Sequence, residues 1–207
     1  MASLTPTADA GSPAVGVREA QRLRTRARVF DAALAEFSRS GLVAADVSAI
    51  AAAAGVARGT FYFHFPTKEH VLLELERAEE RKIAAELDTA TTKPLASVLA
   101  ELVRQVLTAE RRLGPVIFRD MLGLHFTSTR PFEDALQEHP LVEFVISAVA
   151  QAQAAGRVRR DADPDELGVI FLTGLFALLA TAGPASQERT ALLERYVITI
   201  VEGMEAP

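Results

Sequence analysis

Arg58, Thr60, Tyr62, His64 and Lys68 lie within eleven residues of one another, and each side chain can donate a hydrogen bond. Arg58 can fork to two acceptors at once, such as a guanine edge or a phosphate. Thr60 can bond a base or touch a thymine methyl group. Tyr62 and His64 can donate to phosphate oxygens, which fixes position without reading sequence. Gly59 adds no side chain, so a backbone there can approach a duplex. Lys68 opens the next predicted helix, and its ammonium together with that helix's positive end suits a phosphate. Ser48, one short helix earlier, completes the candidate DNA-binding set.

These residues need a frame that presents them, and the surrounding sequence supplies one. Asp46 can cap a short helix by accepting from its first-turn amides. Val47, Ile50 and Ala51 recur at helical spacing and should face inward. Ala51 to Ala54 are small, so a second helix can cross closely over them. Gly55 suits a sharp turn, with Val56 as its apolar plug. The second helix should run from about Ala57 to His64, because Pro66 disfavours helix at Phe65. Phe61 and Phe65, four apart, share the face that should be core. Two short helices around a tight turn, with donors on the second, form a helix-turn-helix reader of double-stranded DNA.

Charge supports that expectation. Between Arg18 and Lys68, eight basic residues face four acidic ones, about +4 in a chain of net charge −5. A basic module on an acidic protein is the electrostatic footprint of nucleic-acid contact.

The segment Arg24 to Lys68 resembles the N-terminal domain of TetR-family transcriptional repressors. Phe30, Ala32, Ala33, Leu34, Phe37 and Gly41 match that family's first helix and its terminator. Ile50-Ala51 and Ala54-Gly55-Val56 match the second helix and turn. Gly59-Thr60, Tyr62, His64-Phe65 and Lys68-Glu69 match the recognition helix and the start of the fourth. Ala57 stands where a serine or threonine is frequent, and Phe63 where a histidine or tyrosine is common. The resemblance implies a homodimer and some effector pocket, and it covers only the N-terminal third.

Composition bounds the rest. A chain of 207 residues with 49% hydrophobic content can bury a substantial core and still have apolar surface for a subunit interface or cavity. Cysteine is absent, which removes disulfides and thiolate zinc sites. The start of the chain lacks the pattern of a signal peptide. The uncharged run Leu167–Ala182 is about 16 residues, short of the ~20 that span a bilayer. A cytoplasmic protein with no membrane partner is expected.

The pattern predicts an all-α fold of about nine helices without strands. Residues 1–17 read as a disordered tail, 18–67 as the helix-turn-helix domain, and 68–207 as an effector-binding and dimerisation domain. The first helix should run from Arg18 or Arg22 to Ser40. A helix from Lys68 to Leu87 should turn Val71, Leu72, Leu75 and Ala78 inward. Its polar run (Glu76-Arg77, Glu79-Glu80-Arg81-Lys82) reads as a solvated face. Thr92 reads as the cap of a helix reaching Glu110, and Gly114-Pro115 opens another reaching Phe126. Thr127 to Arg130 reads as a loop. A helix from Pro131 or Phe132 to Ala155 should kink or restart at Pro140. The last two helices, from Asp163-Pro164 and from Ser186, are more apolar than one core requires. They should pair with a second copy as a four-helix interface. Such a dimer carries two recognition helices about one DNA turn apart, so the operator should be a near-palindrome.

Between Leu95 and Leu179, the residues Phe118, Met121, Leu122, His125, Phe126, Phe144 and Phe171 are candidates to enclose an apolar or amphipathic effector. Arg119, His125 or Asp120 would orient it. Effector and DNA should then oppose each other through a population shift that pivots the Lys68–Leu87 helix.

Catalysis finds no support in the sequence. There is no Gly-rich phosphate loop and no His-Glu-x-x-His. The four histidines (His64, His70, His125, His139) are scattered, so neither a metal site nor a cofactor is expected. Neighbouring acids such as Glu79-Glu80 suit a solvated face better than acid–base work. The remaining rival is a helical small-molecule-binding protein that has lost specific DNA binding.

Overall fold

The computed structural model describes residues 13–87, 93–127, 139–181, 183 and 186–205. Among them are nine α-helices and no strand beyond an isolated bridge between Val158 and Glu205. The all-α expectation of about nine helices therefore holds.

Helix α1 spans Pro13–Ala44 and breaks its helical geometry at Gly41, where φ is 76°. That left-handed conformation is open to glycine and costly for other residues. The start corrects one expectation: residues 13–17, assigned to a disordered tail, are helical. Pro13 opens the helix, where a fixed φ and a missing N–H cost nothing. Residues 1–12 lie outside the described residues.

Helices α2 (Val47–Ala53) and α3 (Arg58–His64) follow. The Asp46 carboxylate accepts from the Ser48 amide at 2.8 Å, the cap that its position predicts. Val47, Ile50 and Ala51 are buried, and Gly55 makes the turn at φ 66°. Phe61 and Phe65 are fully buried, with ring centroids 6.0 Å apart.

Helix α4 spans Lys68–Glu86. It buries Val71, Leu72 and Leu75 as expected, but also Glu76, Glu79 and Glu80, while Ala78 is exposed. The solvated-face reading of that polar run is thus overturned for its glutamates. Their face of α4 packs against α5 (Leu95–Leu113), α6 (Pro115–Gly123) and α7 (Pro140–Ala154). Each of these carboxylates meets a cation or an imidazole there.

Helix α5 places Leu95, Val98, Leu99, Leu102, Val103, Val106 and Ala109 on one buried stripe. Pro94 precedes it without a side-chain cap, and Thr92 lies outside the described residues. A short 3₁₀ turn, Leu124–Phe126, extends α6. Helix α7 starts at Pro140; the earlier start expected at Pro131 or Phe132 falls outside the described residues, as do residues 128–130 of the expected loop.

Helices α8 (Pro164–Thr181) and α9 (Gln187–Met204) close the fold. Asp163 accepts from the Asp165 amide at 2.9 Å and Ser186 from the Arg189 amide at 3.1 Å, as their cap positions predict. By length and composition α8 could cross a membrane. Its inner side is nevertheless core, with Phe171 and Leu175 fully buried. Its outer side is open: Ile170 on α8 and Ile198 on α9 are about half exposed, and Leu192 on α9 is exposed too. Burial on both sides of α8, expected from its composition, is therefore not achieved within one chain.

The two helices lock through Tyr196, whose hydroxyl donates to the Phe171 carbonyl at 2.7 Å. Burial pushes that phenol up to about 12. Gly174 makes the approach possible, because a Cβ there would collide with the hydroxyl and stand 2.9 Å from Cζ. Gly174→Ala should therefore cost ~1–3 kcal/mol through overpacking. Denaturant unfolding checks this, and adding Tyr196→Phe should recover part of the loss.

Candidate functional site

The candidate recognition surface is built from α2, the turn and α3. Arg58 sits in the first turn of α3 and is exposed, with its guanidinium 6.0 Å from the Tyr62 ring. Tyr62 is 44% exposed and packs edge-on against buried Phe61 at 5.3 Å. Ser48 and Gly59 are exposed, and Thr60 is partly so. Phe63, read as a lost polar contact, is 73% exposed and lies against the His64 ring. Arg18, Arg24 and Arg28 on α1 are exposed, and none has an ion pair among the described residues.

Two predicted contact residues turn inward instead. His64 is buried, and its backbone carbonyl accepts from Arg26. Burial, then the charges of Arg26 and Arg22, hold its imidazole below the ordinary 6.5. Lys68 donates to the carbonyls of Leu42, Val43 and Ala45 at 2.7, 3.0 and 3.1 Å. All three ammonium protons are thus committed to the end of α1, where helix carbonyls lack partners. Spacing suggested a phosphate contact; the fold spends this lysine on the joint between α1 and α4.

Other residues of this joint were not singled out for it in the sequence. Arg26 pairs with Glu74 of α4 and lies 4.1 Å over the Phe65 ring. Asp120 of α6 accepts from the Leu42 amide at 2.6 Å. Asp120 therefore holds the end of α1 rather than an effector. Arg119 points to solvent.

The candidate effector residues separate into groups. Phe118, Met121 and Leu122 line a cavity of about 20 Å³ with Val106, Leu141 and Phe176. That volume is about the size of one water molecule. His125 adjoins it through Phe176, with ring centroids 4.7 Å apart. Phe144 lines a separate surface groove with Leu87, Val98 and Arg104. Phe171 stacks on Tyr196 in the core, and Phe126 is half exposed. The helical periods around each of these three residues could not say which side their neighbours would take.

Glu76, Glu79 and Glu80 form the cavity's polar wall. Glu79 is held by Arg112, with Nη1 to Oε1 at 2.7 Å. Glu76 meets His125, and Glu80 meets His139 at 3.0 Å. In the sequence these glutamates read as part of a solvated face, and two histidines fourteen residues apart gave no sign of converging on them.

Residues 29–75 match the model of the bacterial regulatory proteins of the tetR family. The matched stretch contains α2, α3 and the core of α1 on which they stand. The match covers 47 of the 207 residues, so the likeness to the tetR family is shown for this segment. Among its curated relatives, the HTH-type transcriptional repressor KstR of Mycolicibacterium smegmatis is 44% identical over 72 residues, 35% of each chain. The HTH-type transcriptional regulator AcrR of Shigella flexneri is 34% identical over 110 residues, 49% of this chain and 50% of its own. The chain thus spans between about a third and a half of these relatives' length. Solved structures extend the likeness to the whole fold. Thermus thermophilus FadR, a TetR-family repressor in complex with lauroyl-CoA, has TM-score 0.64 at 24% identity, covering 88% of this chain and 96% of that one. RolR in complex with resorcinol has TM-score 0.69 at 18% identity, covering 90% of each. The curated relatives are named as transcriptional repressors or regulators.

Two outcomes follow from the inward-turned pair. Lys68→Met should destabilise the protein by ~2–4 kcal/mol in denaturant unfolding, because charge-assisted bonds are lost and carbonyls stranded. Ser48→Ala, at an exposed position, should cost little. The His64 ring should titrate below 6.5 by NMR. The unfolded chain then binds more protons, so stability falls as pH drops from 6.5 towards the depressed value. Replacing His64 should flatten that part of the pH–stability profile.

Proposed function

We propose that this chain is a homodimeric repressor of transcription that binds a near-palindromic operator and leaves it when a small apolar or amphipathic molecule binds. The observation that carries the DNA reading is α3, with Arg58 and Tyr62 exposed on it beside the exposed arginines of α1. Arg58, Thr60 and Gly59 would face base edges. Tyr62, Ser48 and the α1 arginines would hold phosphates. His64 and Lys68 support this surface from behind.

The open sides of α8 and α9 support a dimer through these two helices. Ile170, Leu192 and Ile198 would be covered by the second copy. The effector reading is supported by the cavity at Phe118, Met121 and Leu122, and by the lauroyl-CoA and resorcinol carried by the structural neighbours. An effector would have to enlarge this cavity. Phe118, Met121 and Asp120 share α6, so widening it would move the group that holds Leu42. Residues 18–67 would act as the DNA-binding unit and 68–207 as the responding one, in the cytoplasm.

The test is selection of genomic fragments from the source organism by the purified protein at fixed salt, followed by sequencing. A shared palindrome is expected, and Arg58→Ala with Tyr62→Ala should abolish its binding without changing the unfolding transition. Salt-sensitive binding with no common motif would favour the rival reading, a ligand-binding protein without specific DNA recognition.

A further inference from the structure

Glu76 and Glu80 stand one turn apart on α4 and project the same way. His125 reaches them from the 3₁₀ turn after α6, and His139 from the residue before α7. The side chains are 2% (Glu76), 5% (Glu80), 6% (His125) and 1% (His139) exposed. One ligand atom each from Glu76, Glu80 and His139 lie within 4.8 Å of one another. His125 Nε2 contacts Glu76 Oε1, and the two imidazole rings are 6.0 Å apart.

We propose that Glu76, Glu80, His125 and His139 bind a divalent transition-metal ion, with zinc the best fit. Two carboxylates and two imidazoles make an N₂O₂ set, which suits zinc and its first-row neighbours. Around zinc at about 2 Å, tetrahedral ligand atoms lie roughly 3.3 Å apart. His139 Nδ1 is 3.0 and 3.1 Å from the two Glu80 oxygens, so ligation needs only small adjustments there.

Glu76, Glu80 and His139 already lie within 4.8 Å of one another, and His125 joins the set through its contact with Glu76. Glu76 and Glu80 are fixed to one rigid helix. Pro140 restricts the backbone of His139, which is extended at φ −81° and ψ 130°. The His125 ring is held against Phe176. Two carboxylates in a dry interior also carry a large desolvation cost that a divalent cation offsets. A neutral imidazole that donates to a carboxylate here can ligate the ion through the same nitrogen after its proton moves to the other. The ion would tie α4 to the end of α6 and the start of α7. This assignment does not rest on DNA binding.

The test uses the full chain, free of any affinity tag, stripped with a chelator and titrated with Co²⁺ and then Zn²⁺. One equivalent of Co²⁺ per chain should bind with visible d–d absorption, and Zn²⁺ should displace it. Glu80→Gln keeps shape and helix content and should weaken binding at least ~10-fold. His70→Ala, at a histidine bonded to Thr67 outside the cluster, should bind as the wild type does. If Glu80→Gln does not fold, His125→Gln provides the same comparison from the other side of the site. Absence of Co²⁺ and Zn²⁺ binding by the wild type would overturn the proposal. So would unchanged affinity in the folded cluster variant, or loss of the ion in His70→Ala.

Discussion

A charge removed from water must be met by another charge or by hydrogen bonds, and α4 carries such groups along its length. Lys68 is answered by the carbonyls at the end of α1, and Glu74 by Arg26. Further along, Glu76 is answered by His125, Glu79 by Arg112, and Glu80 by His139. The first two partners lie on α1, and the other three come from three separate stretches of chain. The helix is therefore indexed against α1, α5, α6 and α7 at once, more specifically than apolar packing alone requires. Removing one partner would strand the other, so these pairs fix register even where their net contribution to stability is modest.

The same constraint explains the use of the end of α1. Its kink at Gly41 leaves carbonyls and an amide without helical partners, and three of these carbonyls are taken by Lys68. The Leu42 amide is taken by Asp120 from α6. The platform under the recognition helix is thus gripped by two helices that also form walls of the central cavity. A displacement of either would reach α3 through rigid, directional bonds.

The helix-turn-helix half was legible in the sequence because its signals are local. Asp46 caps the amide two residues on, Gly55 turns where it stands, and Phe61 with Phe65 define a core face from spacing alone. What spacing could not show is which donors remain outside once that face is buried. His64 lies three residues after Phe61 and is drawn under with it, leaving Arg58 and Tyr62 exposed. The central region was less legible. Phe118, Met121 and Leu122 line one cavity, while Phe144 and Phe171 belong to other packing contacts, because aromatic residues at helical spacing look alike in any core.

By itself, the sequence determined most of the helices, the caps at Asp46, Asp163 and Ser186, the basic N-terminal module and its family resemblance. These rest on interactions within about one or two turns of chain, whose partners are adjacent in the sequence. Only the tertiary structure decided the fate of the charges. Lys68 became a clamp and Asp120 a tether, while the glutamates of α4 became a buried wall facing His125 and His139. Their partners are 23 to 78 residues away. Burial depends on which faces meet, and no local period encodes that meeting.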